Sequence, residues 1–180
     1  MCTVYIPPIT SSHYDRDLIS LEEEICSFSS KGKILLIGDF NARTAKTPDY
    51  IEEDSPHINL FDGKNVLPDG YKSDNKLEQG LNLLELCLSS RLRILNGRYV
   101  GDSLGYFTCM SNNGYSTVDY AIVSDSLLSS VKYFKINNFT YLSDHVQIEL
   151  YIDCLLNFDK KKVLDEKMET NEILQTFRKF

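Results

Sequence analysis

Apolar residues recur at helical spacing in two segments of the first half of the chain. The first stripe predicts a helix over residues 15–28 that begins with Asp15 as its N-cap. The second predicts a helix over residues 76–89, at whose start Asn75 and Glu78 resemble a capping box. The stripes consist of Leu18, Leu21, Ile25 and Phe28 in the first helix and of Leu77, Leu81, Leu84 and Leu88 in the second.

Most of the other apolar segments are short, which is typical of strands. The continuous run at residues 33–38 suits a strand that is buried on both faces. Residues 146–152 instead alternate apolar with polar side chains, so one face of that strand should pack against a core. A hairpin turn is predicted at Asn112–Asn113–Gly114. The predicted strands cover residues 2–6, 33–38, 91–95, 105–109, 117–123, 131–136 and 146–152.

The order of these elements predicts an α/β domain over residues 1–152. Helices and strands alternate in its first part and strands prevail in its second, which favours a largely antiparallel arrangement there. Residues 43–75 are polar and rich in Asp, Asn, Pro and Gly, so we expect a long loop. Residues 153–180 are charged, and we expect them to form a helical extension or a linker.

Composition and charge narrow the classes of function. With 42% hydrophobic and 25% charged residues, the chain has the composition of a globular protein. Its net charge of −7 counts against a simple DNA-coating role, but it does not exclude an enzyme that binds phosphate through a metal ion. The 5 cysteines contain no CxxC pair, which favours reduced thiols over a zinc cluster.

The sequence contains no recognisable targeting or membrane segment. No run approaches the roughly 20 apolar residues that span a bilayer. The N-terminus MCTVYIPP has no basic region, and its apolar run is too short for a signal peptide. We therefore expect a nuclear or cytoplasmic protein that is not secreted and does not enter a membrane.

Three polar clusters that end or interrupt apolar strands carry the candidate chemistry. Asp39 and Asn41 are two residues apart, so their side chains point the same way and could orient a water and contact a phosphate oxygen. Asp119 lies inside an apolar strand, where a charge needs a partner. Asp144 could bind Mg²⁺, and His145 could donate a proton or stabilise phosphoryl charge, with its imidazole oriented by Asp119.

Each cluster also has a purely structural interpretation. Asp39 and Asn41 are common residue types in a turn between a strand and a loop. An Asp–His dipeptide is usually a surface or capping feature. A serine-hydrolase interpretation of Ser143, Asp144 and His145 is weaker, because the sequence has no GxSxG motif and triad residues are not consecutive.

Taken in order, the motifs resemble the endonuclease/exonuclease/phosphatase superfamily, and most of all the apurinic-endonuclease-like domain of LINE-type (non-LTR) retrotransposons. The resemblance extends from residue 2 to about residue 152. It rests on TVYIPP (3–8), ILLIGDFNAR (34–43), LNLLELC (81–87) with RILNGR (93–98), GYFT (105–108), STVDYAIVS (116–124) and LSDH (142–145).

This resemblance implies a two-sheet α/β sandwich with an active site at one end. It implies hydrolysis of a phosphodiester, with DNA as the expected substrate and Mg²⁺ or Mn²⁺ as the cofactor, for which Asp144 would be a ligand. A reverse transcriptase module in the full-length protein is a further expectation. The oligomeric state stays open.

The resemblance also implies roles for five catalytic residues. Asp39 would activate or position the attacking water, and Asn41 would hold the phosphate. Asp119 would pair with His145 and orient it, and Tyr5 would reach the phosphate. Preorganised donors of this kind stabilise the negative charge that develops on the phosphoryl oxygens in the transition state.

The sequence departs from the family at its beginning. Family members carry further strands before the YIPP strand, with an Asn and a metal-binding Glu, whereas this sequence begins at that strand. We therefore expect an N-terminally truncated domain, the C-terminal portion, without the usual Glu ligand. Three functions stay open: an endonuclease, a catalytically inactive remnant or binding module, and a phosphatase acting on a small phosphoester or phosphoinositide.

Overall fold

The computed structural model describes residues 1–51, 78–99 and 101–153. Within these residues the chain forms two α-helices, eight strands and a 3-10 helix at Asp125–Ser130. The helices are α1 (Tyr14–Ser29) and α2 (Glu78–Ser89). The strands are β1 (Cys2–Tyr5), β2 (Leu35–Asp39), β3 (Leu92–Ile94), β4 (Cys109–Ser111), β5 (Gly114–Ser116), β6 (Asp119–Ser124), β7 (Val131–Ile136) and β8 (Ile148–Ile152).

A four-stranded sheet with the order β1-β2-β6-β3 lies at the centre. β1 runs parallel to β2, and β6 runs antiparallel to both of its neighbours. The other strands form two antiparallel pairs, β4–β5 and β7–β8. The expected change from alternating helices and strands to a largely antiparallel second part is confirmed.

The two faces of the central sheet bury different sets of apolar residues. Since successive side chains of a strand point to opposite faces, Tyr120 and Ile122 of β6 pack with α1 and α2. Ala121 and Val123 instead pack against β7 and β8. All four side chains are fully buried, which explains the continuous apolar run in this strand. The layers are helices, sheet and sheet, so the expected two-sheet α/β sandwich is confirmed.

β1 and β2 approach each other closely at Gly38. This residue has a φ of 152°, and a Cβ at its position would lie 1.9 Å from the carbonyl oxygen of Val4. Only glycine therefore fits here without displacing β1. The contact fixes the end of β2, where Asp39 is located.

The predicted start of α1 is wrong by one residue. The helix begins at Tyr14, and His13 occupies the N-cap position without a side-chain hydrogen bond to the helix. Asp15 lies in the first turn instead of at the cap. A carboxylate in that turn still interacts favourably with the helix dipole, which is why the sequence pattern placed it near the start.

The predicted strand at residues 105–109 is largely wrong, because regular pairing starts only at Cys109. Gly105 has a φ of 64°, which an extended strand does not use. The carboxylate of Asp102 accepts the Tyr106 N–H at 2.6 Å, so this N–H does not donate to a neighbouring strand. The predicted hairpin turn is confirmed, since Ser111 of β4 is paired with Gly114 of β5.

The described part of the predicted long loop, residues 43–51, contains no helix or strand. Residues 52–77, with Asn75 of the predicted capping box, lie outside the described residues. The same holds for residues 154–180 of the predicted extension. Among the residues that the structure describes, no helix is long and apolar enough to cross a membrane.

Candidate active site

A row of three polar side chains crosses the end of the central sheet. Tyr5 is in register with Asp39 on β2, and Asp39 is in register with Asp119 on β6. Because Val4 and Tyr120 pack on the helical side, the alternation of side chains directs this row to the face that packs on β7–β8. Asp39 and Asp119 are buried, whereas Tyr5 is 62% exposed.

His145 reaches the row from the segment before β8. Its Nδ1 lies 2.7 Å from Oδ2 of Asp119. An ionised carboxylate can only accept a hydrogen bond, so Nδ1 carries a proton and Asp119 fixes the orientation of the imidazole. The backbone N–H of His145 donates to the hydroxyl of Ser143 at 3.1 Å, which forms a local turn before His145.

The two buried carboxylates face each other directly. Like charges at opposed positions of neighbouring strands repel, yet Asp39 and Asp119 are each only 4% exposed. Their oxygens and an imidazole nitrogen of His145 all lie within 4.8 Å of one another. A cation or a protonated imidazole relieves that repulsion, and the oxygen donors are of the type that Mg²⁺ and Mn²⁺ prefer.

Asn41 lies beside this cluster in a constrained conformation. Its φ of 48° is in the left-handed region, which asparagine tolerates better than most residues. Its backbone N–H donates to Asp39 at 2.9 Å, and its Nδ2 donates to the carbonyl oxygen of Ile6 at 2.9 Å. These contacts use one amide hydrogen. The second hydrogen and Oδ1 have no partner among the described residues.

Asp144 lies on the solvent side of the site. Its side chain is exposed and makes no hydrogen bond or ion pair with another residue in the described ranges. One of its oxygens belongs to a second group, with Cys109 and His145, whose ligand atoms all lie within 4.8 Å of one another. The two groups share His145. The structure therefore brings the predicted residues together, with Tyr5 at the exposed end of the row.

Cys109 is a site residue that the sequence interpretation missed. Burial and the nearby carboxylates of Asp119, Asp144 and Asp39 raise the pKa of its thiol, although a hydrogen bond with Ser116 acts in the opposite direction. The sulfur therefore faces the same acidic cluster as the imidazole. Nothing in one sequence marks this cysteine, because its contacts come from segments far along the chain.

Thr108 connects β6, which carries Asp119, to the segment that carries His145. Its fully buried hydroxyl accepts the backbone N–H groups of Val118 and Asp119, both at 3.0 Å. Its carbonyl oxygen accepts the N–H of Val146 at 2.9 Å. Thr108 thus fixes β6 at Asp119 and also the segment that carries His145. It ends the GYFT motif, so a signal was present, but the residue types alone did not reveal this role.

Gln79 fixes the chain on the Tyr5 side of the site. This buried α2 residue donates from Nε2 to the carbonyl oxygen of Pro7 at 2.9 Å, and its Oε1 accepts the N–H of Ile9 at 3.2 Å. Its Nε2 also lies 3.4 Å from the carbonyl oxygen of Phe40. One helical amide therefore connects the segments that follow β1 and β2.

Comparisons with known proteins concern the family and the fold of the chain. The family model described as endonuclease-reverse transcriptase matches residues 1–149. Two solved structures from Neisseria are similar in fold: the 3'-5' exonuclease NExo from Neisseria meningitidis, with 16% identity and a TM-score of 0.56, and the 3' phosphatase NExo bound to a product DNA hairpin, with 15% identity and a TM-score of 0.57.

The similarity covers most of this chain and a smaller share of its structural neighbours. Each comparison covers 84% of this chain and 60% of the neighbour. No curated protein sequence matches significantly. The sandwich fold and the family model agree with the resemblance that the motifs carry. The chain belongs to the endonuclease-reverse transcriptase family of the endonuclease/exonuclease/phosphatase superfamily.

Proposed function

We propose that this chain carries the catalytic residues of a metal-dependent DNA endonuclease of the retrotransposon type. The observation that carries the proposal is the buried cluster in which Asp39 and Asp119 face each other and Asp119 holds His145 at 2.7 Å. A buried like-charge pair beside an oriented imidazole is costly for stability, so a purely structural role explains it poorly. The family description supports nucleic acid as the substrate.

In this proposal each residue of the site has a separate role at the scissile phosphate. Asp39 orients the attacking water and accepts its proton while the new P–O bond forms. His145, held by Asp119, faces the phosphoryl oxygens or the leaving oxygen and provides a proton donor as the old P–O bond breaks. Asn41 offers its second amide hydrogen to a phosphate oxygen, and the exposed hydroxyl of Tyr5 extends the row of donors.

The donor set also fits a divalent cation. Asp39 and Asp119 would hold it at the buried group, and Asp144 would approach it from solvent, since carboxylate oxygens are the preferred ligands of Mg²⁺ and Mn²⁺. When bound, such an ion acts as a Lewis acid that stabilises negative charge on the phosphoryl group. It would also offset the repulsion between the two buried carboxylates.

A second candidate is removal of a terminal phosphate from DNA. It is favoured by one structural neighbour, which is described as a 3' phosphatase bound to a product DNA hairpin. The same residues serve both reactions, because each is an in-line attack of water on phosphorus. The loops around the site would decide whether an internal or a terminal phosphate enters.

The decisive experiment measures nicking of supercoiled plasmid by the 180-residue chain with Mg²⁺ or Mn²⁺. Asp39→Asn and His145→Ala should reduce nicking by about 10²–10³-fold, which is the usual effect of losing one transition-state contact. Asp15→Asn and His13→Ala make the same chemical changes at exposed positions on or beside α1, and both should leave nicking unchanged.

Three outcomes separate the candidate functions. Metal-dependent nicking that the site variants lose supports the endonuclease. Release of phosphate from a 3'-phosphorylated hairpin without nicking supports the phosphatase instead. Absence of both reactions, or nicking that is equal in all variants, contradicts a catalytic role and leaves an inactive binding module. We further propose that a reverse transcriptase module accompanies this domain in the full-length protein and that the protein acts in the nucleus or cytoplasm.

A further inference from the structure

Cys109, Asp144 and His145 form a donor group of a different chemical type from the buried carboxylate pair. A thiol sulfur, a carboxylate oxygen and an imidazole nitrogen all lie within 4.8 Å of one another. We propose that these three residues bind Zn²⁺, and that zinc bound there inhibits the hydrolysis. The binding depends only on the geometry of the three residues, whereas the inhibition rests on the proposed function.

The backbone holds the three donors together before any ion arrives. Cys109 and His145 form an isolated antiparallel bridge. On either side of it, the Met110 N–H donates to the Asp144 carbonyl at 2.8 Å, and the Val146 N–H donates to the Thr108 carbonyl at 2.9 Å. The two segments therefore cannot separate without breaking main-chain hydrogen bonds. The three donors therefore lose little conformational freedom when the metal binds, and such preorganisation favours tight binding.

The group is open to an ion from solvent. The Asp144 side chain is exposed, and Cys109 and His145 are half-buried. The carboxylate of Asp144 is not used by any hydrogen bond or ion pair within the described residues. Three protein ligands leave a fourth tetrahedral position for water, which is a common arrangement for zinc.

The donor types select the metal. Thiolate sulfur and imidazole nitrogen are preferred by Zn²⁺, whereas Mg²⁺ prefers oxygen. Because Nδ1 of His145 lies 2.7 Å from Oδ2 of Asp119, the metal would bind the imidazole through Nε2. A carboxylate behind a metal-binding histidine orients the ring and strengthens the bond. The proton of the Cys109 thiol and the Nε2 proton of His145 are released to solvent as the S–Zn and N–Zn bonds form.

The two groups cannot be used independently, because both contain His145. Zinc on the imidazole removes the proton donor that the proposed hydrolysis uses. It also occupies Asp144, which would otherwise face a catalytic cation. Zinc should therefore act as an inhibitor even where Mg²⁺ is in excess. Cys109 would make the enzyme sensitive to this ion.

The test of binding uses Co²⁺ as a spectroscopic substitute for zinc and needs no catalytic activity. The full 180-residue chain carries Cys2→Ser, Cys26→Ser and Cys154→Ser, so that the remaining thiols are Cys109 and the fully buried Cys87. Co²⁺ should produce a sulfur-to-cobalt charge-transfer absorption, and Zn²⁺ should displace it. Adding Cys109→Ser should abolish the band. Adding Asp144→Asn should keep the band and weaken binding.

The size of the change in zinc affinity distinguishes a metal ligand from a residue that only lies near the ion. Loss of the Cys109 sulfur should weaken zinc binding by about 10–100-fold or more, since even loss of an outer contact to a ligand has an effect of that size. Circular dichroism verifies that each variant is folded. No band in the parent protein, or a band that survives Cys109→Ser, overturns the proposed site.

A separate assay tests inhibition and distinguishes the two proposals. Hydrolysis is measured in excess Mg²⁺ while Zn²⁺ is added, and each variant is compared with its own zinc-free rate. Zinc sensitivity should fall about tenfold or more in Cys109→Ser. Equal sensitivity overturns the inhibition. If no variant hydrolyses any substrate, the proposed function fails, while the cobalt band still decides the metal site.

Discussion

The β2–β6 pair has an apolar end and an acidic end on the same face. Towards the apolar end, Ile37 lies opposite Ala121, and both are buried against the β7–β8 sheet. One alternation further along, Asp39 lies opposite Asp119, and both are buried as well. The register and the strands are the same, but apolar burial stabilises one end while opposed charges destabilise the other.

This contrast separates residues that hold the fold from residues that carry its chemistry. At the apolar end, any well-packed side chain of similar volume would serve. At the acidic end, amides of the same shape would stabilise the folded chain without being able to act as bases. The retention of two carboxylates there is explained by the reaction proposed for the site. The two ends should therefore respond in opposite ways to substitution.

The largest effect is expected from Asp119→Asn at the acidic end. The amide keeps the shape of the side chain but no longer enforces the protonated Nδ1 of His145, whose nitrogen lies 2.7 Å away. Hydrolysis should fall by about 10²–10³-fold, as in His145→Ala, because Asp119 acts through that imidazole. Initial rates of plasmid nicking measure this. A loss of less than tenfold would contradict the role of Asp119.

The apolar end should show the opposite behaviour in Ile37→Ala. Removal of a buried isoleucine side chain lowers the free energy of unfolding by about 2–5 kcal/mol. Urea denaturation followed by circular dichroism measures the change. The turnover number of the protein that stays folded should be unchanged. A loss of turnover in the folded protein would contradict the distinction between the two ends.

Thr108→Val should lower both stability and nicking, because Thr108 connects Asp119 on β6 to the segment that carries His145. Valine leaves the N–H groups of Val118 and Asp119 without their acceptor, which costs about 1–3 kcal/mol of stability. Nicking should also fall as Asp119 loses its fixed position. Thr108→Ser keeps the hydroxyl and is the matched control. If serine and valine behave alike in the urea and nicking assays, the hydroxyl contacts are unimportant.

The smallest effect is a gain of stability in Asp39→Asn. The amide removes the repulsion with Asp119 and still accepts the Asn41 N–H through Oδ1, so unfolding should cost about 0.2–1 kcal/mol more. Added Mg²⁺ should then raise the urea midpoint of the original protein and leave that of Asp39→Asn unchanged. A variant that is less stable without metal would show that the carboxylate pair is not under strain.

The sequence predicted elements with strong periodicity, because their signals are local. The candidate site residues came from polar residues at the ends of strands together with the family resemblance. Asp119 stands out as a charge within an apolar strand, and that observation alone anticipates a partner such as His145. The opposition of Asp39 and Asp119 could not be predicted, because it depends on β6 pairing with β2 and not with a strand near it in sequence. Register between distant strands leaves no mark in a single sequence.

Some buried polar residues were missed for a related reason. Gln79 and Asp49 are polar and suggest solvent exposure, yet both are buried. Gln79 bonds to backbone groups beyond β1, and Asp49 forms an ion pair with Arg98 at 2.7 Å. A buried polar group is recognisable only through its partners, and these lie in segments that folding alone brings together.

The central claim is that Asp119 and His145 act as one catalytic unit, and a double-mutant cycle tests it most directly. Nicking rates are measured for Asp119→Asn, His145→Ala and the double variant under the same Mg²⁺ concentration. Residues that act as a unit lose activity non-additively. The combined loss in the double variant should therefore be smaller than the product of the two single losses. If the two losses multiply, or if neither substitution slows nicking, the site does not work as the geometry predicts.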